Sequence, residues 1–202
     1  MKRLSLALVF TCCAIAAVAQ DEYRVKFKGP RPTITDFAWA FLFSDEDDEE
    51  ECGHEAIAGF EQALINYRAG KPQNEGTTFV VDKKNGYILY EWRYESRVKT
   101  QEMCYWNESD GKHILFAFNN LADENEGKPL ITETSCLTFC RYNKATKKMR
   151  ICDTPGFQVE YYDTSYSLPR SGKDIIVTKW NPDGGKTQKT LKWNGRKFIE
   201  TP

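Results

Sequence analysis

The sequence predicts an α+β fold in which two N-terminal helices pack on an antiparallel β-meander. Helical spacing of apolar residues is confined to the first third of the chain. β-branched and aromatic residues dominate from Thr77 onward, where one kind of turn, from Asp or Asn to Gly, recurs. The most economical architecture is a curved sheet or a partly open barrel covered by the helices. A small propeller-like β fold is the alternative, although blades of about 40–45 residues each need a longer chain.

The first residues of the chain have the pattern of a signal peptide. Lys2 and Arg3 form a positive n-region, residues 4–18 are uncharged and largely apolar, and small residues precede a cleavage site after Ala19. The apolar stretch is shorter than the about 20 residues that cross a bilayer, and no later segment is apolar over such a length. We therefore expect an exported protein, periplasmic or extracellular, that loses residues 1–19 and has no transmembrane segment.

The remaining residues, 20–202, suit a single globular domain. Residues 20–72 are predicted to form a helical part and residues 73–202 an antiparallel β part. Basic and acidic residues nearly balance, 28 against 29, but acids concentrate in the run Asp45–Glu51 and bases in the last third. The lysines there alternate with apolar residues or lie at turns, which indicates a solvated sheet face. We therefore expect no nucleic-acid partner.

Two helices are predicted on either side of the acidic run. Thr35 or Asp36 can cap a first helix over residues 37–43, which is apolar on nearly all sides and therefore expected to be buried. A second helix is indicated by apolar side chains at helical spacing: Ile57, Phe60, Leu64 and Tyr67. Gly70 is placed where this helix should end.

The β part is divided by turns of similar chemistry. Three segments begin with Asp or Asn and end with Gly: Asp82–Gly86, Asn107–Gly111 and Asn181–Gly185. Asn143–Lys147 is a copy without the glycine, and Asn194-Gly195 has the signature of a two-residue hairpin turn. With Tyr23–Phe27 as an edge strand, the strands are predicted at Thr78–Val81, Tyr87–Tyr94, Gln101–Trp106, His113–Asn119, Leu137–Tyr142, Lys148–Asp153, Phe157–Tyr162, Asp174–Trp180, Thr187–Trp193 and Lys197–Glu200.

Cysteines give one candidate disulfide. Cys140 and Cys152 flank a predicted turn and could pair across it if the strand register places them opposite each other, whereas a slip of one residue removes that option. The alternative is that the cysteines are small buried apolar residues. No cysteines have the spacing of a zinc site, and we expect neither a metal nor another cofactor.

The sequence offers no candidate catalytic residue, but it does offer candidate ligand contacts. No P-loop, dinucleotide fingerprint or nucleophile elbow occurs, and the sequence has two histidines. Aromatic residues supply the candidates for ligand binding: Tyr90, Trp92 and Tyr94, which share one face of a strand, and the cluster Tyr161, Tyr162 and Tyr166. A stripe of this kind is more often part of a core or of cross-strand pairing than a ligand platform.

Four short segments carry a resemblance. These are Thr33–Phe37, Asn85-Gly86-Tyr87, Cys104–Asn107 followed by Asp110–His113, and Trp193–Phe198. In these segments the chain resembles a group of exported proteins of unknown function from gut-type Gram-negative bacteria. The resemblance implies an envelope or secreted location and supplies no activity and no site residues.

These observations favour a non-catalytic exported binding or interaction module, with a glycan, a cell-wall fragment or a protein as ligand. A hydrolase acting on glycans is an alternative, since that chemistry needs only two carboxylates placed about 5–9.5 Å apart. A structural component of the envelope is the other alternative.

Overall fold

A computed structural model of the protein describes residues 22–43, 54–120, 123–125, 128–130, 136–160, 163–181 and 185–201. The predicted signal peptide, its cleavage site after Ala19 and the acidic run Asp45–Glu51 lie outside the described residues. Within the described residues, no helix combines the length and the apolar character needed to cross a bilayer.

Two helices precede nearly all of the strands, as predicted. Helix α1 spans Ile34–Leu42 and helix α2 spans His54–Arg68. The prediction of Thr35 or Asp36 as the cap of α1 is wrong, because the N-cap is Thr33. The Thr33 amide donates to Oδ2 of Asp36 at 2.8 Å, so Asp36 lies in the first turn and satisfies a backbone donor that the helix leaves free.

The described strands form two sheets. Nine strands belong to the central sheet: β1 (Glu22–Arg24), β2 (Thr77–Asp82), β3 (Tyr87–Tyr94), β4 (Arg97–Asn107), β5 (His113–Asn120), β6 (Asp123–Asn125), β7 (Lys128–Leu130), β8 (Cys136–Asn143) and β9 (Lys148–Cys152). Four belong to a second sheet: β10 (Thr164–Ser167), β11 (Ile175–Trp180), β12 (Lys186–Trp193) and β13 (Phe198–Thr201).

All strand pairings within the described residues are antiparallel. The central sheet has the order β1-β9-β8-β5-β4-β3-β2, with β6 and β7 attached beside β4, and it does not close into a barrel. The second sheet has the order β10-β11-β12-β13. The α+β class and the antiparallel meander are therefore confirmed, whereas the chain builds two sheets where one was expected.

The molecule has three layers, with one apolar core on each face of the central sheet. Core 1 lies between the helices and the central sheet, and its Phe37 packs in ring contact with Phe116 and Tyr142. Core 2 lies between the opposite face of the central sheet and the second sheet, where Trp106 and Phe198 meet edge to face. Burial of such aromatic surface on both faces is the main stabilising contribution that this architecture offers.

The described turns have the predicted chemistry with two local changes, and residues 182–184 of the predicted turn Asn181–Gly185 lie outside the described residues. Oδ1 of Asp82 accepts a hydrogen bond from the Asn85 amide at 3.0 Å. In the next copy Asp110, not Asn107, accepts from the backbone that follows. In the copy without glycine, Lys147 takes the left-handed conformation with φ of 59°, which a non-glycine residue adopts at a modest energetic cost.

One predicted strand, Phe157–Tyr162, is wrong over its described part. Residues 157–160 form no strand and belong to the connection between the two sheets. Phe157 and Val159 pack against core 2. Phe157 and Val159 therefore alternate with their neighbours because every second side chain covers core 2. This alternation does not arise from a strand with a ladder of backbone hydrogen bonds.

The predicted disulfide between Cys140 and Cys152 is also wrong. The register places Cys140 opposite Ile151 and Cys152 opposite Phe139, so the two cysteines are one position out of step. Adjacent positions on a strand point to opposite faces of the sheet, and accordingly Cys140 lies in core 1 while Cys152 packs against core 2. Both thiols are free.

Candidate functional site

The aromatic stripe on β3 runs from the interior to the solvent. Tyr90 is 4 % exposed, Trp92 is half-buried, and Tyr94 is 58 % exposed. The ring of Tyr90 lies 5.7 Å from that of Phe60 on α2, and a Cβ at Gly59 would come within 2.2 Å of its hydroxyl oxygen. Tyr90 is therefore a packing residue beneath α2 and not a ligand contact, which leaves Trp92 and Tyr94 accessible.

The described member of the tyrosine-rich segment, Tyr166, is buried and not exposed as a ligand contact would be. Tyr166 is 5 % exposed in core 2, and its hydroxyl accepts a hydrogen bond from the Glu160 amide at 2.7 Å. Tyr166 thus holds the connecting segment against the second sheet. Tyr161 and Tyr162 lie outside the described residues, so their role as ligand contacts stays a prediction.

A cleft of about 630 Å³ opens where loops from all three layers meet. The helix layer contributes residues 31–33, just before α1. The central sheet contributes the β2–β3 turn at residues 83–85 and the end of β4 at residues 105–107, and the segment before β11 contributes residues 172–173. The lining residues are Arg31, Pro32, Thr33, Lys83, Lys84, Asn85, Tyr105, Trp106, Asn107, Gly172 and Lys173. We call this feature the basic cleft.

The charge of the basic cleft is one-sided. Four of its lining residues are cationic, namely Arg31, Lys83, Lys84 and Lys173, and no described lining residue is acidic. All four are exposed, and none of them forms an ion pair with another described residue. Lys83 also lies with Nζ 5.7 Å from the ring centroid of Tyr67. The carboxylates of Asp36 and Asp82 hydrogen-bond to the lining residues Thr33 and Asn85, so four cations outnumber two acids around the cleft. The excess of positive charge produces a potential that attracts anions.

Packing fixes the floor of the basic cleft. The Tyr105 ring lies 5.4 Å from Phe37 and directly against Gly86, where a Cβ would come within 2.5 Å of the ring. The Trp106 indole donates to the carbonyl of Lys173 at 2.8 Å and ties β4 to the segment before β11. The cleft is therefore built on side chains that other parts of the fold already hold in place.

A buried carboxyl group lies between the two sheets. Glu102 accepts hydrogen bonds from the Tyr87 hydroxyl at 2.7 Å, from Nδ2 of Asn119 at 3.1 Å and from the Leu168 amide at 2.9 Å. Burial raises the pKa of Glu102 despite these three donors, and burial together with the Glu102 charge raises the pKa of Tyr87. Because both carboxyl oxygens are occupied within the protein, Glu102 joins the sheets and is not placed to reach a ligand.

A second group of titratable side chains lies at the β4–β5 turn. The potential ligand atoms of Glu108, Asp110 and His113 lie within 4.8 Å of one another. Each acid already has a partner within the protein, since Arg141 Nε lies 2.8 Å from Glu108 and His113 Nδ1 lies 2.5 Å from Asp110. Hydrogen bonds from His113 and the local backbone hold the pKa of Asp110 well below its ordinary value. This arrangement is an ion-pair network outside the basic cleft.

Sequence reasoning missed the basic cleft. The doublet Lys83–Lys84 was placed within the predicted turn Asp82–Gly86, and neither Arg31 nor Lys173 stood out among the basic residues of the chain. The doublet at a turn was the available local signal. The convergence of the four segments depends on how the three layers stack, which periodicity does not reveal. No family model, no curated protein and no solved structure matches this chain.

Proposed function

We propose that this chain is an exported binding module that holds an anionic ligand in its basic cleft. The single observation that carries the proposal is the convergence of Arg31, Lys83, Lys84 and Lys173 on a cleft without a described acidic lining residue. A unit charge about 4 Å from an anion contributes about 1 kcal/mol in bulk water and about 4 kcal/mol at the effective dielectric near a protein surface. Export rests on the pattern of residues 1–19.

The size and lining of the cleft indicate a small ligand with several negative charges. A volume of about 630 Å³ lies within the range of about 300–1,000 Å³ that is usual for small-molecule sites. The Tyr105 ring offers an aromatic surface, and Asn107 is an exposed amide beside it. A compact ligand with phosphate, sulfate or carboxylate groups matches this combination of cations, ring and amide.

The proposal is tested by calorimetric titration of residues 20–202 with pyrophosphate and with citrate. We expect binding at low ionic strength that weakens as salt is added, because exposed charges are screened. The double substitution Lys83→Ala/Lys84→Ala should weaken the Kd about 30-fold, at about 1 kcal/mol for each charge removed. Lys186→Ala is the matched control, since Lys186 is an exposed lysine on β12 that lies opposite Trp180, at the far end of β11 from the cleft residues 172–173.

Two outcomes would contradict the proposal. One is that neither anion binds, and the other is that the double substitution and Lys186→Ala have the same effect. Pyrophosphate should also be recovered unchanged, because the carboxylates of Glu102, Glu108 and Asp110 lie outside the cleft lining. Release of orthophosphate would replace binding with hydrolysis as the function.

A further inference from the structure

Trp92 and Tyr94 form a second surface at the other end of β3, which we call the aromatic pair. Their rings are parallel within 4° and their centroids are 5.8 Å apart. Tyr94 is the most exposed of the large hydrophobic residues in the described part of the chain. The pair lies about 23 Å along β3 from the turn that lines the basic cleft, at about 3.3 Å per residue. It is therefore a separate surface.

The fold holds the aromatic pair in position. Trp92 packs against core 1, and β3 is paired on both sides, with β2 and with β4. Gly76 lies beside the indole, where a Cβ would be 3.9 Å from Trp92 Cδ1, so residue 76 has no side chain to cover it. Rings held by a paired strand lose little conformational entropy when they bind a ligand.

Cationic side chains border the aromatic pair on the same face of the sheet. Arg97 is directly opposite Tyr94 on β4, and Lys99 is directly opposite Trp92. Directly opposite residues of an antiparallel pair project to the same side, with Cβ atoms about 4.5–5.5 Å apart. The surface thus combines aromatic ring faces with donors for a carboxylate or a hydroxyl.

Two aromatic side chains are too small an area for a stable protein interface, which buries about 800 Å² on each partner. A sugar ring matches the pair in size. The C–H groups on one face of a pyranose carry a partial positive charge that suits the negative face of an aromatic ring. Its hydroxyl oxygens and a carboxylate can accept from the exposed Arg97, and Lys99 adds positive charge on the same face. We propose that the aromatic pair binds a uronic acid residue of an acidic saccharide.

The test uses trigalacturonic acid, with the neutral cellotriose as comparison. It is made in the Lys83→Ala/Lys84→Ala chain, in which the basic cleft should bind anions about 30-fold more weakly, and the Trp92 signal separates binding at the aromatic pair from binding at the cleft, so that failure of the proposed function leaves this result intact. We expect trigalacturonic acid to bind and to shift the NMR signal of the Trp92 indole N–H. Tyr94→Ala should weaken the Kd about tenfold through loss of one stacking contact, and Arg97→Ala should weaken it several-fold.

The matched control is Ile199→Ala, which removes another exposed hydrophobic side chain, on β13 of the second sheet, and should leave the Kd unchanged. Three results would each overturn the inference: no binding of trigalacturonic acid, equal Kd values for Tyr94→Ala and the parent chain, or tighter binding of cellotriose than of the acidic probe. An unmoved Trp92 signal at saturation would place the saccharide elsewhere and would also overturn it.

Discussion

Glu102 provides the sharpest test of how the two sheets are held together. Its carboxyl group accepts from Tyr87 and Asn119 of the central sheet and from the Leu168 amide, which directly follows β10 of the second sheet. Two substitutions separate its shape from its charge. Glu102→Ala removes the acceptor, whereas Glu102→Gln keeps the side-chain length and replaces the carboxyl group with a neutral amide.

The magnitude for Glu102→Ala follows from the donors that lose their partner. The Tyr87 hydroxyl and the Leu168 amide would be left buried without an acceptor, and Asn119 would keep only its bond to the Tyr166 carbonyl. A buried donor without a partner costs about 1–3 kcal/mol. We therefore expect Glu102→Ala to lower the free energy of unfolding by about 4 kcal/mol.

Glu102→Gln should cost less than about 1 kcal/mol near neutral pH. Its amide oxygen can accept from Asn119 and Leu168, and the Tyr87 hydroxyl can rotate to accept from its amide nitrogen. The pH dependence of the free energy of unfolding should distinguish Glu102→Gln from the parent chain. Burial raises the folded-state pKa of Glu102 above its ordinary value of 4.5, so the folded state holds this proton more tightly than the unfolded state does.

The free energy of unfolding of the parent chain should accordingly fall as pH rises from 4.5 to the raised pKa of Glu102. Below pH 4.5 the stabilising contribution of the protonated Glu102 is fully present. Glu102→Gln lacks this loss, so its stability relative to the parent should increase across that window. The assay is urea unfolding at a series of pH values, with the exposed Glu200→Gln as control. A cost below about 1 kcal/mol for Glu102→Ala, or equal pH slopes for Glu102→Gln and the parent, would refute the reasoning.

Two further predictions concern the cores. Phe37→Ala should lower the free energy of unfolding by about 3–5 kcal/mol, because Phe37 is fully buried in core 1; a loss below about 1 kcal/mol in urea unfolding would contradict this packing. Cys140 and Cys152 should both be alkylated by iodoacetamide in urea without a reductant, since both are free thiols. Peptide mapping by mass spectrometry reads this out, and a linked pair of peptides that dithiothreitol separates would show the register to be wrong.

Local chemistry was readable from the sequence. Strand β3 was predicted at Tyr87–Tyr94, where it is found. Glycines and short polar side chains marked the turns. Glycine adopts a left-handed backbone conformation at little cost, and Asp and Asn side chains accept hydrogen bonds from nearby backbone amides. The second helix followed from the spacing of Ile57, Phe60, Leu64 and Tyr67, and it spans His54–Arg68.

The assignment of strands to two sheets was not predicted, although a signal was present. Strand β5 reads His-Ile-Leu-Phe-Ala-Phe-Asn-Asn, and all of its residues after His113 are buried. An unbroken run of this kind indicates a strand covered on both faces, which one layer of helices cannot provide. The disulfide was predicted wrongly for a different reason. Whether Cys140 and Cys152 face each other depends on the strand register, and a slip of one residue moves a side chain to the other face of the sheet.

The basic cleft and the aromatic pair also combine features that the sequence shows with features that depend on tertiary packing. Alternation placed Trp92 and Tyr94 on one face, but it did not reveal that α2 covers Tyr90 and leaves Tyr94 open. Arg31 and Lys173 are far apart in the sequence and meet only because three layers end at one place. Such convergence is a property of tertiary packing and has no local pattern.

The second sheet is built entirely from the last part of the chain, from Thr164 to Thr201. A polypeptide that emerges from its N-terminus can complete the helices and the central sheet first. Until β13 has been added, the face of the central sheet that carries Leu115 and Ala117 lacks part of its cover in core 2. Incomplete chains therefore present an apolar sheet surface that favours aggregation. The final hairpin thus completes the burial of this face of the central sheet.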